Sequence, residues 1–166
     1  ANQSYHSCGI ENTSCWDVRW TSANHLFAGY SDIRGVRSID GGDSWSFNYI
    51  GHSQNSMYKI VKNIASTTLY AATSTVHDIY QSTHLQDNSL DAGSAGGKVI
   101  YTTDEGASWQ TLHDFAHPVF TVAIDPNNAN RLYAAVVNHT QNAGGLWVSQ
   151  NINAGAGSTW TQLTAP

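Results

Sequence analysis

The 166-residue sequence predicts an all-β fold of three four-stranded antiparallel units, and three observations carry that prediction. An eight-residue pattern recurs: Ser38 to Trp45 reads SIDGGDSW, Thr102 to Trp109 reads TTDEGASW, and a stretched copy runs from Ser149 and Asn151 to Gly157, Thr159 and Trp160. Short runs rich in Val, Ile, Tyr, Trp and Thr stand at matching offsets around each copy, bounded by Gly, Asn, Asp and Ser, the signature of strands joined by tight turns. No long segment keeps a 3.6-residue apolar period, so helix beyond a turn or two is not expected.

Each unit reads as strands A to D. Strand A is CWDVRW at Cys15 to Trp20, MYKIVKN at Met57 to Asn63 and VFTVAID at Val119 to Asp125. Strand B places small residues behind an apolar pair: HLFAGY at His25 to Tyr30, TLYAAT at Thr68 to Thr73, RLYAAV at Arg131 to Val136. Strand C is GVRS at Gly35 to Ser38, KVIYT at Lys98 to Thr102 and GLWVS at Gly145 to Ser149. The motif then forms the C–D turn, and strand D follows as SFNYI at Ser46 to Ile50, QTLHDF at Gln110 to Phe115 and TQL at Thr161 to Leu163. Within the turn, Asp40 and Asp104 can accept hydrogen bonds from backbone N–H groups a few positions on. Gly42 and Gly106 supply a conformation costly for a residue with a Cβ, while Trp45 and Trp109 bury a large ring at the start of strand D. Because a repeated supersecondary unit dictates architecture, the chain divides into an N-terminal segment 1–14 and units 15–51, 52–116 and 117–166.

The motif resembles the Asp-box, or BNR, repeat of β-propellers found in sialidases, sortilin-type receptors, photosystem assembly factors and secreted xyloglucanases. That resemblance implies propeller blades with the motif at their periphery, away from ligand. Ser38, Asp40, Gly42, Trp45, Thr102, Asp104, Gly106 and Trp109 are accordingly read as structural. Propellers close with four to eight blades, so three blades predict a partial ring. The chain is expected to be a fragment of a longer polypeptide, or to complete its ring with blades from other chains.

Charged residues make up 11% of the chain, with 7 Lys plus Arg against 12 Asp plus Glu, and the polar remainder resembles a secreted surface. A formal charge of −5 argues against nucleic acid, which needs a basic face. No run approaches the roughly 18 apolar residues of a membrane span. No signal peptide is read at Ala1, so a processed terminus or an internal start is expected. Cys8 and Cys15 are read first as a disulfide, with free thiols or a zinc site using His6 as the alternatives. Sequons at Asn2, Asn12 and Asn138 permit N-glycosylation. His113 and His117 stand four apart, but in a connection with no helix to align them, so no metal is expected; nor is any cofactor.

Strand alternation puts the B–C and D–A connections on the face opposite the motif turns. B–C loops at Ser31 to Arg34, Ser74 to Gly97 and Asn138 to Gly144, with D–A loops at Gly51 to Ser56 and His113 to Pro118, build that face. The 74–97 loop is far longer than a hairpin needs, and such loops are functional or disordered. It offers His77, Asp78, Tyr80, His84, Asp87 and Asp91 for a polar ligand or a cation, with His77, Asp78, Tyr80 and His84 as the ligand-binding candidates. Its Gly and Ser content at Ala92 to Gly97 favours a floppy excursion.

GYSDIRG at Gly29 to Gly35 is similar to the Asp-Ile/Val-Gly-Gly segment of secreted xyloglucanases, and Asp32 occupies the position of their catalytic aspartate. Arg34 stands where that family has glycine. The resemblance implies a hydrolase whose two carboxylates come from two propellers, of which this chain supplies one at most. Sialidase chemistry fits worse, because Arg19, Arg34, Arg37 and Arg131 make no arginine triad in the expected context. Three readings follow: a secreted propeller module for binding or extracellular assembly, part of a xyloglucanase-like glycoside hydrolase with Asp32 as one catalytic carboxylate, or a receptor or assembly-factor propeller.

Overall fold

The computed structural model describes residues 13–79, 81 and 87–164, which form three antiparallel sheets and almost no helix. The first sheet holds β1 (Cys15–Trp20), β2 (Leu26–Tyr30) and β3 (Gly35–Ser38). The second holds β4 (Ser56–Lys62), β5 (Leu69–Ser74), β6 (Lys98–Thr102) and β7 (Gln110–Asp114). The third holds β8 (Val119–Asp125), β9 (Asn128–Val136), β10 (Gly145–Ser149) and β11 (Trp160–Gln162). Each sheet is a meander in chain order, with every pair hydrogen-bonded to its sequence neighbour. Cys15 opens β1 as an exposed residue, and its expected disulfide partner Cys8 lies outside the described residues, as do His6, Asn2 and Asn12.

β1 packs on β4, and β4 and β5 pack on β8, so the sheets stack face to face. β5 is buried along its whole length, as the central strand of the middle sheet must be when both faces are covered. Tyr70, Ala72, Val99, Val122, Leu132 and Ala134 fill the space between the second and third sheets. Phe27, Met57, Ile60, Leu69, Ile100 and Trp109 fill that between the first and second. The three A strands converge at one end, where Trp16 contacts Tyr58 at 5.3 Å and Phe120 at 6.0 Å between ring centroids.

The motif turns are closed by their own side chains. Ser38 Oγ donates to Asp40 Oδ1 at 2.8 Å and accepts the Gly42 N–H at 2.9 Å, while Asp40 accepts from the Ser44 amide at 2.9 Å and from the Ser44 hydroxyl. Thr102, Asp104, Gly106 and Ser108 repeat the network, with Thr102 Oγ1 to Asp104 Oδ1 at 2.8 Å and Ser108 N to Asp104 Oδ1 at 2.8 Å. In the third copy Asn151 Oδ1 takes the same place, accepting from Ser149 Oγ at 3.1 Å and Thr159 N at 2.9 Å across an inserted 3-10 turn, Ile152–Gly157. Gly106 adopts a φ of 79°, and a Cβ there would stand 2.7 Å from the Phe27 ring, so the turn seats directly on the neighbouring sheet.

One predicted strand does not form. After a single bridge between Arg37 and Ser46, the SFNYI segment leaves the first sheet, and Ile50 pairs in parallel with Ser108 of the second unit. Local bonds compete with the ladder: Ser46 Oγ accepts the Asn48 N–H at 3.4 Å and Phe47 O accepts the Tyr49 N–H at 2.8 Å. Gly51 completes the departure with a φ of 84°, where a Cβ would fall 1.9 Å from the Trp109 carbonyl oxygen. The first sheet therefore has three strands.

Candidate functional site

Asp32 sits on the tight connection between β2 and β3. The Ile33 N–H bonds to Ser31 O at 2.7 Å and the Gly35 N–H to Ile33 O at 2.8 Å, two successive three-residue turns. Their central residues, Asp32 and Arg34, have φ of 66° and 69°, a left-handed backbone costing an L side chain about 1 kcal/mol or more. Glycine would adopt it freely, which gives a physical meaning to the departure at Arg34. Surrounding bonds hold the strained turn: Trp16 Nε1 donates to Ser31 Oγ at 2.8 Å, Ser31 N to Ser14 O at 3.0 Å, and Arg34 N to Asn55 O at 2.9 Å.

The long connection between β5 and β6 meets this turn. Tyr58 on β4 donates its hydroxyl to Val76 O at 2.9 Å and accepts the Ile79 N–H at 3.4 Å, which fixes the corner carrying His77 and Asp78. His77 Nδ1 stands 3.4 Å from Asp32 Oδ1 and 3.3 Å from Asp78 Oδ2. One ligand atom of each lies within 4.8 Å of the others, the one such convergence of three His, Cys, Asp or Glu among the described residues. Their side chains are 50%, 41% and 20% exposed for His77, Asp32 and Asp78. An imidazole nitrogen between two carboxylates can hydrogen-bond a polyol or a cationic group, and the same atoms could ligate a divalent cation. Asp78 also has a left-handed φ of 50°.

The remainder of the loop is not the floppy excursion expected at Ala92 to Gly97. Leu90 and Ile79 are buried against Tyr58, Trp16 and Phe120, and Gly96 exchanges bonds with Thr75 at 2.8 and 2.9 Å. Asp91 accepts from Asn138 Nδ2 at 2.8 Å and from Thr140 Oγ1, a staple between the second and third units. The Thr140 hydroxyl leads the bonds that hold the Asp91 carboxyl below the ordinary range. Gly and Ser here make close packing possible, which composition alone reads as looseness. Asn138, buried with its amide donating to Leu90 O and Asp91, is not presented as a glycan acceptor in this fold. Asp87 opens a 3-10 turn, Asp87–Leu90; Tyr80 and His84 lie outside the described residues.

His113 and His117 do not come together. His117 is buried with Nδ1 3.1 Å from Leu90 O, whereas His113 packs in an aromatic group with Phe115 and Trp160. A histidine the sequence reading passed over matters more. His52, 4% exposed, stacks on Tyr49 at 6.4 Å and 21°, with its ring beside the Arg34 backbone. Burial first, and the Arg34 charge second, push its pKa down to about 4, against a weak opposing pull from the Arg34 backbone. The only sequence signal was its place in the D–A loop read at Gly51 to Ser56.

Solved structures share this architecture. The chain matches a GH74 enzyme from Niastella koreensis with a TM-score of 0.58 at 22% identity, over 84% of this chain and 20% of that one. The fold is a partial propeller. An ancestral GH74 enzyme matches with a TM-score of 0.57 at 17% identity, over 89% and 18% of the two chains. The GH74 xyloglucanase from Xanthomonas campestris matches with a TM-score of 0.58 at 16% identity, over 89% and 21%. The chain thus spans about a fifth of the length of these structures. No protein-family model matches the sequence, and no curated protein matches it. No described helix is long and apolar enough to cross a membrane.

Proposed function

We propose that the chain is part of an extracellular Asp-box propeller that binds a polysaccharide at the face carrying Asp32, His77 and Asp78. The convergence of those three side chains on the face opposite the motif turns carries the reading. Carboxylates and an imidazole match the alternating donors and acceptors of sugar hydroxyls. The likeness to GH74 enzymes, one of them a xyloglucanase, supports saccharide as the ligand class. Both terminal sheets expose apolar side chains, Trp20 at 58% and Val18 on β1, and Leu146 on β10 and Leu163 just after β11. Further blades, from the same polypeptide or another chain, would cover them.

A second reading, hydrolysis, is favoured by one observation: Asp32 occupies a strained turn at the position implied by the Asp-Ile-Gly-Gly resemblance. Asp78 is too near to be its partner in an inverting mechanism, which needs roughly 6.5–9.5 Å between carboxyl groups to admit water. The second carboxylate would then come from another part of the ring.

One experiment separates the two. The whole polypeptide that carries this chain is applied to a glycan panel with reducing-sugar release measured in parallel, for wild type and Asp32→Asn. Retention lost in Asp32→Asn with no sugar release supports binding, and release abolished by the same substitution supports hydrolysis. Neither retention nor release from any glycan overturns both.

A further inference from the structure

The predicted strand that does not form supplies the support of the turn that carries Asp32. Tyr49 donates its hydroxyl to Gly35 O at 2.9 Å, and Asn55 O accepts the Arg34 N–H at 2.9 Å. His52 is buried and stacks on Tyr49, and Tyr49 in turn packs edge-on against Phe27 at 5.1 Å and 68°. Contacts therefore run from the core at Phe27, through Tyr49, to the backbone on which Asp32 rests.

Two costs meet at this point. Burying a polar imidazole is unfavourable, and so is left-handed backbone at Asp32 and Arg34. Strain of this kind persists only where its surroundings over-determine it. A regular fourth strand would have stayed in the ladder at β3; instead residues 47–55 leave it, with Ile50 bridging to Ser108 and Asn55 O reaching the Arg34 N–H.

We infer that Tyr49 and His52 are positioning residues, which hold the 31–35 turn so that the Asp32 carboxylate stays beside His77 and Asp78 for a polar ligand. The inference rests on the reading of Asp32 as a ligand contact. Tyr49 acts through one hydrogen bond and its ring. His52 acts chiefly through its ring, which fills the space beside Tyr49 and the Arg34 backbone, so an aromatic ring without nitrogens should replace most of its effect.

The test uses the full chain with Tyr49→Phe, His52→Ala and His52→Phe. Amide hydrogen exchange is followed at Ile33 and Gly35 and across β5, together with titration by a xyloglucan heptasaccharide. Tyr49→Phe and His52→Ala are expected to speed exchange at Ile33 and Gly35 about tenfold while β5 stays at its wild-type rate. The same variants should weaken heptasaccharide binding about tenfold, and His52→Phe should restore both. Unchanged exchange at Ile33 and Gly35 in both Tyr49→Phe and His52→Ala overturns the positioning role. Faster exchange there, in a chain that fails to bind the heptasaccharide or binds it equally well as Asp32→Asn, supports the positioning role and overturns the saccharide reading instead. If His52→Ala does not fold, Tyr49→Phe, which removes a single hydroxyl, decides alone.

Discussion

The two faces of the sheets use aspartate in opposite ways. On the motif face, Asp40 and Asp104 each accept three hydrogen bonds from within their own eight residues, and Asn151 does nearly the same without a charge. On the loop face, Asp32 and Asp78 stand on left-handed backbone with oxygens turned toward His77, Asp32 from a different strand connection and Asp78 from the adjoining position. A repeated carboxylate engaged by its own turn is part of the scaffold. A lone one held in strain by distant residues is available to a ligand.

Acid provides the largest test of this contrast. An unfolded histidine titrates near 6.5, whereas His52 in the fold is pushed down to about 4 by burial and by Arg34. Between those values the unfolded chain takes up a proton that the folded chain refuses. Stability therefore falls as pH drops from about 6.5 to about 4, by up to about 3 kcal/mol, and levels off below. His113, also depressed by burial against the pull of Asp114, adds to the slope. Denaturant midpoints across this range should fall less steeply in His52→Phe than in wild type; equal slopes would place the histidine outside the strained support.

On the motif face, Asp104→Ala should cost about 1–2 kcal/mol by removing the acceptor for Ser108 and Thr102. Asp104→Asn should cost less than half of that, because the third copy shows an amide oxygen filling the role. Thermal midpoints of the two variants check this, and equal losses would mean that the charge rather than the acceptor matters.

How far these differences could be read beforehand depended on whether they are local. The motif turns were legible because every partner lies within eight residues, as were β2, β5 and β9 from small residues behind an apolar pair. Asp32, His77 and Asp78 were each singled out, but their meeting was not, since it depends on Tyr58 fixing the 76–79 corner from a third strand. Ser46 to Ile50 read as a strand because Phe47, Tyr49 and Ile50 have strand propensity; the tertiary contacts of Tyr49 with Phe27 and Gly35 overrode it. The 92–97 stretch read as loose because composition cannot report that Gly96 bonds Thr75 and that Asp91 is stapled to Asn138.

On the loop face, Asp32→Asn should leave stability within about 0.5 kcal/mol of wild type, because the residue is exposed and asparagine tolerates left-handed backbone. A thermal melt checks it. A loss as large as that of Asp104→Ala would make Asp32 a scaffold residue and erase the distinction between the faces.

The smallest effect concerns Asp40, which is exposed. Its carboxyl is held down at about 2, first by the Ser44 hydroxyl, then by the Ser44 amide and Ser38. An unfolded aspartate titrates near 3.9, so the network's stabilisation is complete above that value and is lost as pH falls through about 2. Asp104, where burial works against the Ser108 and Thr102 bonds without outweighing them, shifts the same way. Asp40→Asn has no such titration. The difference in thermal midpoint between wild type and Asp40→Asn should be constant above about pH 4 and close between about pH 4 and 2. A difference that persists unchanged to pH 2 would mean that the hydrogen bonds of this turn do not depend on the carboxylate's charge, and the Asn151 turn would then be its full equivalent rather than a weaker copy.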